Sequence, residues 1–289
     1  MIGVHFHAKS HWRALPLSNR SIIMNPFSTI PTDLALLPPS SPIVELRQYQ
    51  LHPSQSSFYM QRTTQSAPLR KRLPLVFFGF PEMGAIPLNT AVHLYHYPGG
   101  HSERLGRRTE LARTNEWRDY LGEVKSCMIQ QTSEIFVEAK QLNDRHGIKG
   151  LQYWIDMEKN SIDSSNTSIV ELRKYQLKLG YDTVPKFLEI YSEALPSKLR
   201  AAGHPSTELV TVLISDVGRL NTVYEVWKHG GGIIGQDTTT NYCGLQAMEQ
   251  SRQASRSAEE WRKGIAQIAE LAETFDATIL KAMTFSPLR

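Results

Sequence analysis

The sequence predicts an α+β protein made of two tandem modules, each with the ferredoxin-like order β-α-β-β-α-β. Three observations carry that prediction. The octapeptide VELRQYQL at Val44 to Leu51 returns as VELRKYQL at Val170 to Leu177, 126 positions later. Each copy opens a stretch in which segments of period two and segments of helical period follow in the same order, the mark of a duplicated unit. At 289 residues the chain has room for two domains that each bury a core.

Residues 1–41 read as a leader. Lys9, Arg13 and Arg20 precede the first acid, Asp33, and serines recur, which is the composition of an organelle transit peptide or of a leader with no address. His5, His7 and His11 cluster in it, but no metal site is expected there.

The first module spans 42–141. Ile43–Leu51 alternates as a strand, and Ser54–Arg72 reads as a helix interrupted by Pro68. Leu73–Phe80 and Thr90–Tyr97 form a hairpin, and His101–Glu123 is a helix whose Leu105, Leu111, Trp117 and Leu121 make a buried stripe. Met128–Lys140 closes the module as a strand. A linker over 142–168 carries an aromatic patch at Tyr153 and Trp154 that should pack on a module, and then the polar run Lys159–Ser168, expected to be exposed.

The second module, 169–289, repeats the order. Strand Ile169–Lys178 precedes a helix over Val184–Ala202 that buries Phe187, Ile190, Tyr191, Leu195 and Leu199, with Gly203 as its cap. Glu208–Ile214 and Thr222–His229 form the hairpin, Gly230–Gly235 a loop, Met248–Ala272 a helix and Phe275–Phe285 the last strand. The order in each copy is the split βαβ plan.

Composition removes several functions. The net charge of +4 is spread among interleaved acids, as where Arg104, Arg107, Arg108 and Arg113 alternate with Glu103, Glu110 and Glu116, so no nucleic acid partner is expected. No apolar run approaches the roughly eighteen residues of a bilayer crossing, so the chain is not expected to be transmembrane. Cys127 and Cys243 form no CxxC pair and read as buried thiols in a reducing compartment. The Gly230–Gly232 run has neither P-loop nor dinucleotide spacing, and no GxSxG elbow is present.

Residues two apart on a strand share a face. Val92 with Leu94, and Tyr224 with Val226, make an apolar face expected under each module's own helices. The opposite face carries Glu45, Arg47, Tyr49, His93, Tyr95 and Tyr97, then Glu171, Arg173, Tyr175, Glu225, Trp227 and His229. Two modules meeting on that face would turn it into a barrel interior. One reading pairs Glu45 with Arg47 and Glu171 with Arg173, while aromatics fill the space. The other is a pocket in which His93 or His229 is a base and Arg47 or Arg173 holds an anion.

Three motifs occur in both copies: IVELRQYQL and IVELRKYQL, LNTAVHLYHY and LNTVYEVWKH, NEWRDYL and EEWRKGI. Together they resemble the NIPSNAP family, whose repeats look like members of the dimeric α+β barrel superfamily, and the resemblance runs from Ile43 to Phe285. It implies a barrel of paired modules, a frequent mitochondrial association, and an interaction or scaffolding role with protein partners and, for animal members, links to mitophagy and vesicles; plastid or cytoplasm are the alternative locations for this chain. It implies no agreed catalytic activity and no cofactor, and homo-oligomers can form by barrel pairing. The wider superfamily implies an alternative: a cofactor-independent monooxygenase or a haem binder with a small hydrophobic or anionic ligand in the barrel. The copies differ where Tyr95 faces Trp227, His93 faces Glu225 and Pro98 faces Gly230 in the alignment of repeats, so any site is asymmetric.

Overall fold

The computed structural model describes residues 41–158, 168–201, 207–230 and 244–289. The leader, its histidines, the run 159–167, Gly203, the glycines after Gly230 and Cys243 lie outside them. Among the described residues eight strands appear in the expected order: β1 (Ile43–Leu51), β2 (Leu75–Gly84), β3 (Thr90–Tyr97), β4 (Met128–Glu138), β5 (Ile169–Leu177), β6 (Thr207–Val217), β7 (Thr222–His229) and β8 (Ala272–Ala282). They close into one antiparallel barrel in the order β1-β3-β2-β8-β5-β7-β6-β4. Each module supplies a four-stranded sheet, and β2 with β8 and β4 with β6 are the two seams. The modules thus pair within the chain.

In the first module the helices are α1 (Ser56–Gln65), α2 (Ala67–Arg70), α3 (Gly100–Ala112) and α4 (Asn115–Val124). The linker span holds α5 (Lys140–Arg145) and α6 (Gly150–Glu158), and the second module has α7 (Thr183–Ala201), α8 (Gly244–Ser257) and α9 (Glu259–Leu271). Two segments expected as single helices are each broken once. Thr114 is extended at ψ 140 and Ala258 at ψ 104, matched positions of the two copies, so the chain turns there and wraps the sheet. The break also undoes the expected stripe: Leu111 is buried, but Leu105 is 67% exposed and Leu121 reaches solvent. In the second module Phe187, Tyr191 and Leu195 of α7 are buried, and Gly264 of α9 lies so close to α7 that a Cβ there would collide with that of Ala194.

The barrel interior reverses the expectation from alternation. Val44, Leu46, Val92, Leu94 and Phe136 of the first sheet share one core cluster with Val170, Leu172, Tyr224, Val226 and Leu280 of the second. Phe136 and Tyr224 meet edge to face at 5.3 Å across the modules. From α6, buried Leu151 joins that cluster and Trp154 and Ile155 pack on it, so the aromatic half of the linker does pack inward. The aliphatic face is therefore the inside. The face with Glu45, Arg47, Tyr49, His93, Tyr95 and Tyr97, and its counterpart in the second module, lies beneath each module's own helices.

Physical chemistry explains the choice. Both faces are buried, and a buried charge must be paired or hydrogen-bonded. Arg104 and Arg108 from α3, and Arg252 from α8, reach down to the carboxylates, as does Lys198 from α7. The inner layer is mainly apolar, with its few polar groups paired locally, as His96 with Glu138, so it closes on its twin.

Candidate functional site

In the first module β1 and β3 set Glu45 opposite Tyr95 and Arg47 opposite His93. Glu45 is buried, yet it accepts from Arg104 at 2.7 Å, Arg108 at 2.5 Å, Ser133 at 2.6 Å and Tyr97 at 3.4 Å. Burial pushes its pKa up, but the hydrogen bonds from these groups and the charge of Arg108 more than offset that, holding it at about 2. The carboxyl stays ionised.

Arg70 is different. It is 2% exposed, and its guanidinium donates only to phenols: Tyr95 at 3.2 Å, Tyr59 at 3.2 Å and Tyr120 at 2.6 Å. It also lies over the rings of Phe78, Tyr120 and Trp117 at 5.1, 5.2 and 5.6 Å. No carboxylate among the described residues pairs with it. Across the layer, Arg47, Arg104 and Arg108 share Glu45 as their one carboxylate among the described residues, and the Nε of these three and of Arg70 is buried without a hydrogen-bond partner among them. Buried donors are normally satisfied.

His93 stacks on Phe78 at 4.1 Å and meets the edge of Tyr49 at 4.6 Å. Burial, with the charges of Arg70, Arg47 and Arg108, holds its pKa well below the usual value, so the ring is neutral. Its Nδ1 is 3.4 Å from the Tyr95 hydroxyl and its Nε2 has no partner. Between this layer and α4 is a cavity of about 360 Å³. Arg47, Arg70, Arg108 and Lys125 supply positive charge, Tyr49, Tyr95 and Trp117 supply rings, and Leu73, Leu121, Met128 and Gln131 complete the wall. Among the described residues no acidic side chain lines it.

The second module repeats the geometry with compensated charge. Glu171 accepts from Arg173 at 2.9 Å, from His229 Nε2 at 2.9 Å and from Arg252. Burial works against its ionisation, but these donors hold its pKa well below the carboxylate range. His229 Nδ1 lies 3.2 Å from Thr207 Oγ1, so both ring nitrogens are engaged. Glu225 accepts from Tyr175 at 2.6 Å, Lys198 at 3.4 Å and Trp227 Nε1. Lys198 lies 3.8 Å above the ring of Trp227, and burial, partly opposed by Glu225, brings its pKa down to about 7.

The twelve residues singled out from the strands therefore form two separate layers rather than one barrel site. Arg47, Tyr49 and Tyr95 line the first cavity, with Glu45, His93 and Tyr97 packed beside it. Arg173 and Tyr175 border a groove in the second module, while Glu171, Glu225, Trp227 and His229 are locked in the buried network. Strand alternation could not reveal the helical cations Arg70, Arg104, Arg108, Lys125 and Lys198. Arg104 and Arg108, four apart on one helical face, and the match of Arg108 to Arg252 beside the repeated tryptophan motif were the available signals.

Two sheets of split-βαβ modules, closed edge to edge over a largely apolar interior, define an α+β barrel protein whose Glu45 and Glu171 networks sit outside the barrel. Solved structures share this fold. A proposed monooxygenase from Fusobacterium nucleatum aligns over 84% of this chain and 93% of its own with a TM-score of 0.53 and 10% identity. Another from Lactobacillus acidophilus aligns over 84% and 94% with a TM-score of 0.50 and 11% identity. The NIPSNAP family model matches residues 44–142, the first module. Protein NipSnap homolog 2 of Danio rerio is 22% identical over 199 residues, a match spanning 69% of this chain and 57% of that protein's length. Residues 44–142 thus resemble the NIPSNAP family, and this chain spans little more than half the length of that relative.

Proposed function

We propose that the first module binds a small organic anion with a flat ring, and that the chain works as a small-molecule binding barrel in which the second module completes the fold. The observation that carries this reading is Arg70, a buried guanidinium at a cavity wall whose hydrogen-bond partners among the described residues are three phenol hydroxyls. A buried cation without a counter-charge is costly, and an incoming carboxylate relieves that cost. Tyr49, Tyr95 and Trp117 offer ring faces to the body of the ligand. Arg47 and Arg108 add charge at the same wall. If the ligand reacts, Arg47 and Arg70 are placed to hold an oxyanion, and neutral His93 has an unused nitrogen to accept a proton. Among the described residues neither this cavity nor the second-module groove is lined by histidine or cysteine, which favours an organic anion over haem as the ligand.

The test is titration calorimetry of the full chain with 2-naphthoate, against neutral 2-naphthylmethanol and ringless acetate. Binding of naphthoate alone, lost in Arg70→Met and weakened in Arg47→Gln, is expected. Equal binding of the neutral alcohol, or no effect of either substitution, overturns the reading.

A second reading, interaction with protein partners at an organelle, is supported by an apolar patch at one end of the second module. Leu179 is 86% exposed and Tyr181 and Leu220 are also exposed. Asn221 donates from Nδ2 to the carbonyls of Lys178 and Gly180 at 2.8 and 3.1 Å, holding the two loops side by side. The basic leader fits mitochondrial import. A reporter carrying residues 1–41 is expected to enter mitochondria; its retention in the cytosol, or entry into plastids, removes the mitochondrial part.

A further inference from the structure

We infer that the second module carries a separate site for a long-chain carboxylate, an anionic amphiphile whose tail lies along α9 and whose head meets arginines at the rim. The sites in the two modules descend from one duplicated place. The β1–β4 register sets Tyr49 opposite Gln131 and Leu51 opposite Met128, and the β5–β8 register sets Tyr175 opposite Phe275 and Leu177 opposite Ala272. Gln131 therefore corresponds to Phe275, and Met128 to Ala272. Counting back along the repeat, Lys125 corresponds to Ala269 and Trp117 to Trp261.

These replacements change the chemistry of the place in one direction. A lysine, a glutamine and a methionine become two alanines and a phenylalanine, so the wall loses polarity and the floor gains length. The result is two adjoining cavities of about 600 and about 180 Å³ that share Arg173, Trp261, Ile265, Ala269 and Phe275. The larger lies within the roughly 300–1,000 Å³ typical of small-molecule sites. Phe275 is 55% exposed, its ring stacked on Tyr175 at 4.5 Å, which leaves one apolar face open along the trough.

The charge sits elsewhere than in the first module. Deep in the second module Arg173 and Lys198 are already met by Glu171 and Glu225, so nothing there calls for an anion. At the rim, Arg256 and Arg262 are exposed, line the larger cavity and have no ion pair among the described residues. Among the described residues no acidic side chain lines either cavity. An apolar trough with guanidiniums at its edge is complementary to a chain that is apolar along its length and anionic at one end. A neutral lipid leaves the rim unused, and a cationic amphiphile is repelled by it.

The full chain is titrated with laurate below its micellar concentration, and with dodecyltrimethylammonium, which has a tail of the same length and opposite charge. Laurate is expected to bind and the cation not to. Arg256→Gln with Arg262→Gln, both exposed positions, is expected to weaken laurate at least tenfold. Ala269→Trp, on the exposed side of α9, is expected to block it by filling the trough. Naphthoate binding in the first module should be unchanged by these variants, which separates this site from that one. Absence of laurate binding, equal binding of the cation, unchanged affinity in the double glutamine variant, or binding only to phosphatidylglycerol vesicles overturns the proposal.

Discussion

His93 and Glu225 occupy the same place in the two modules, each directly across the sheet from the arginine of its module's first strand, Arg47 or Arg173. That exchange decides how buried charge is settled. In the second module the carboxylate of Glu225 meets Lys198 and Arg173, whereas in the first a neutral imidazole leaves Arg70 with phenols. Installing the acid should therefore close the first site. His93→Glu is expected to lower 2-naphthoate affinity at least tenfold in calorimetry while the circular dichroism of the fold is kept.

The phenol cage of Arg70 should be measurable by itself. Tyr120 makes its shortest contact, 2.6 Å, and also lies 2.8 Å from Thr63 Oγ1. Tyr120→Phe leaves both groups without that partner and is expected to cost about 1–3 kcal/mol in urea unfolding.

Lys198 predicts a rise of stability with pH above neutrality. Burial lowers its pKa from 10.5 to about 7, so between these values the unfolded chain holds a proton that the folded chain does not. Below pH 7 both states are protonated and the full penalty of the buried charge is present. Through that window Lys198 adds a slope of at most about 1.4 kcal/mol per pH unit. Lys198→Met is expected to flatten the difference between unfolding curves taken at pH 7, 8 and 9.

Glu45 predicts the opposite edge. Its carboxyl titrates at about 2 in the fold against 4.5 when free, so its contribution is present above pH 4.5 and is lost as pH falls toward 2. Glu45→Gln is expected to destabilise the protein at pH 7 and to lose part of the acid slope between pH 4.5 and 2. Denaturant titrations across that range read both.

The close approach of α9 to α7 rests on Gly264 against Ala194. Gly264→Val is expected to cost about 1–3 kcal/mol by overpacking. Adding Ala194→Gly should recover much of the loss, which a double-mutant comparison of unfolding midpoints measures.

Much of this architecture was legible in the chain. The repeated VELR-YQL segment placed β1 and β5, and the alternation in TAVHLYHY and TVYEVWKH placed β3 and β7 with the correct partners on each face. The helix breaks at Thr114 and Ala258 were not legible, because neither residue is a breaker and the turn exists to follow the curved sheet. Arg70 was not legible either. It lies on a four-residue helix that contains Pro68, and only the arrival of Tyr95 and Tyr120 from distant elements makes it part of a site.

By itself the sequence determined the duplication, the order of strands and helices, and which side chains share a face, because these follow from local repetition and a period of two. Which of the two faces looks into the barrel was decided only by tertiary structure. A period of two is unchanged when a strand is turned over, and the deciding partners, Arg104, Arg108, Lys198 and Arg252, come from helices whose reach across the sheet no local pattern records.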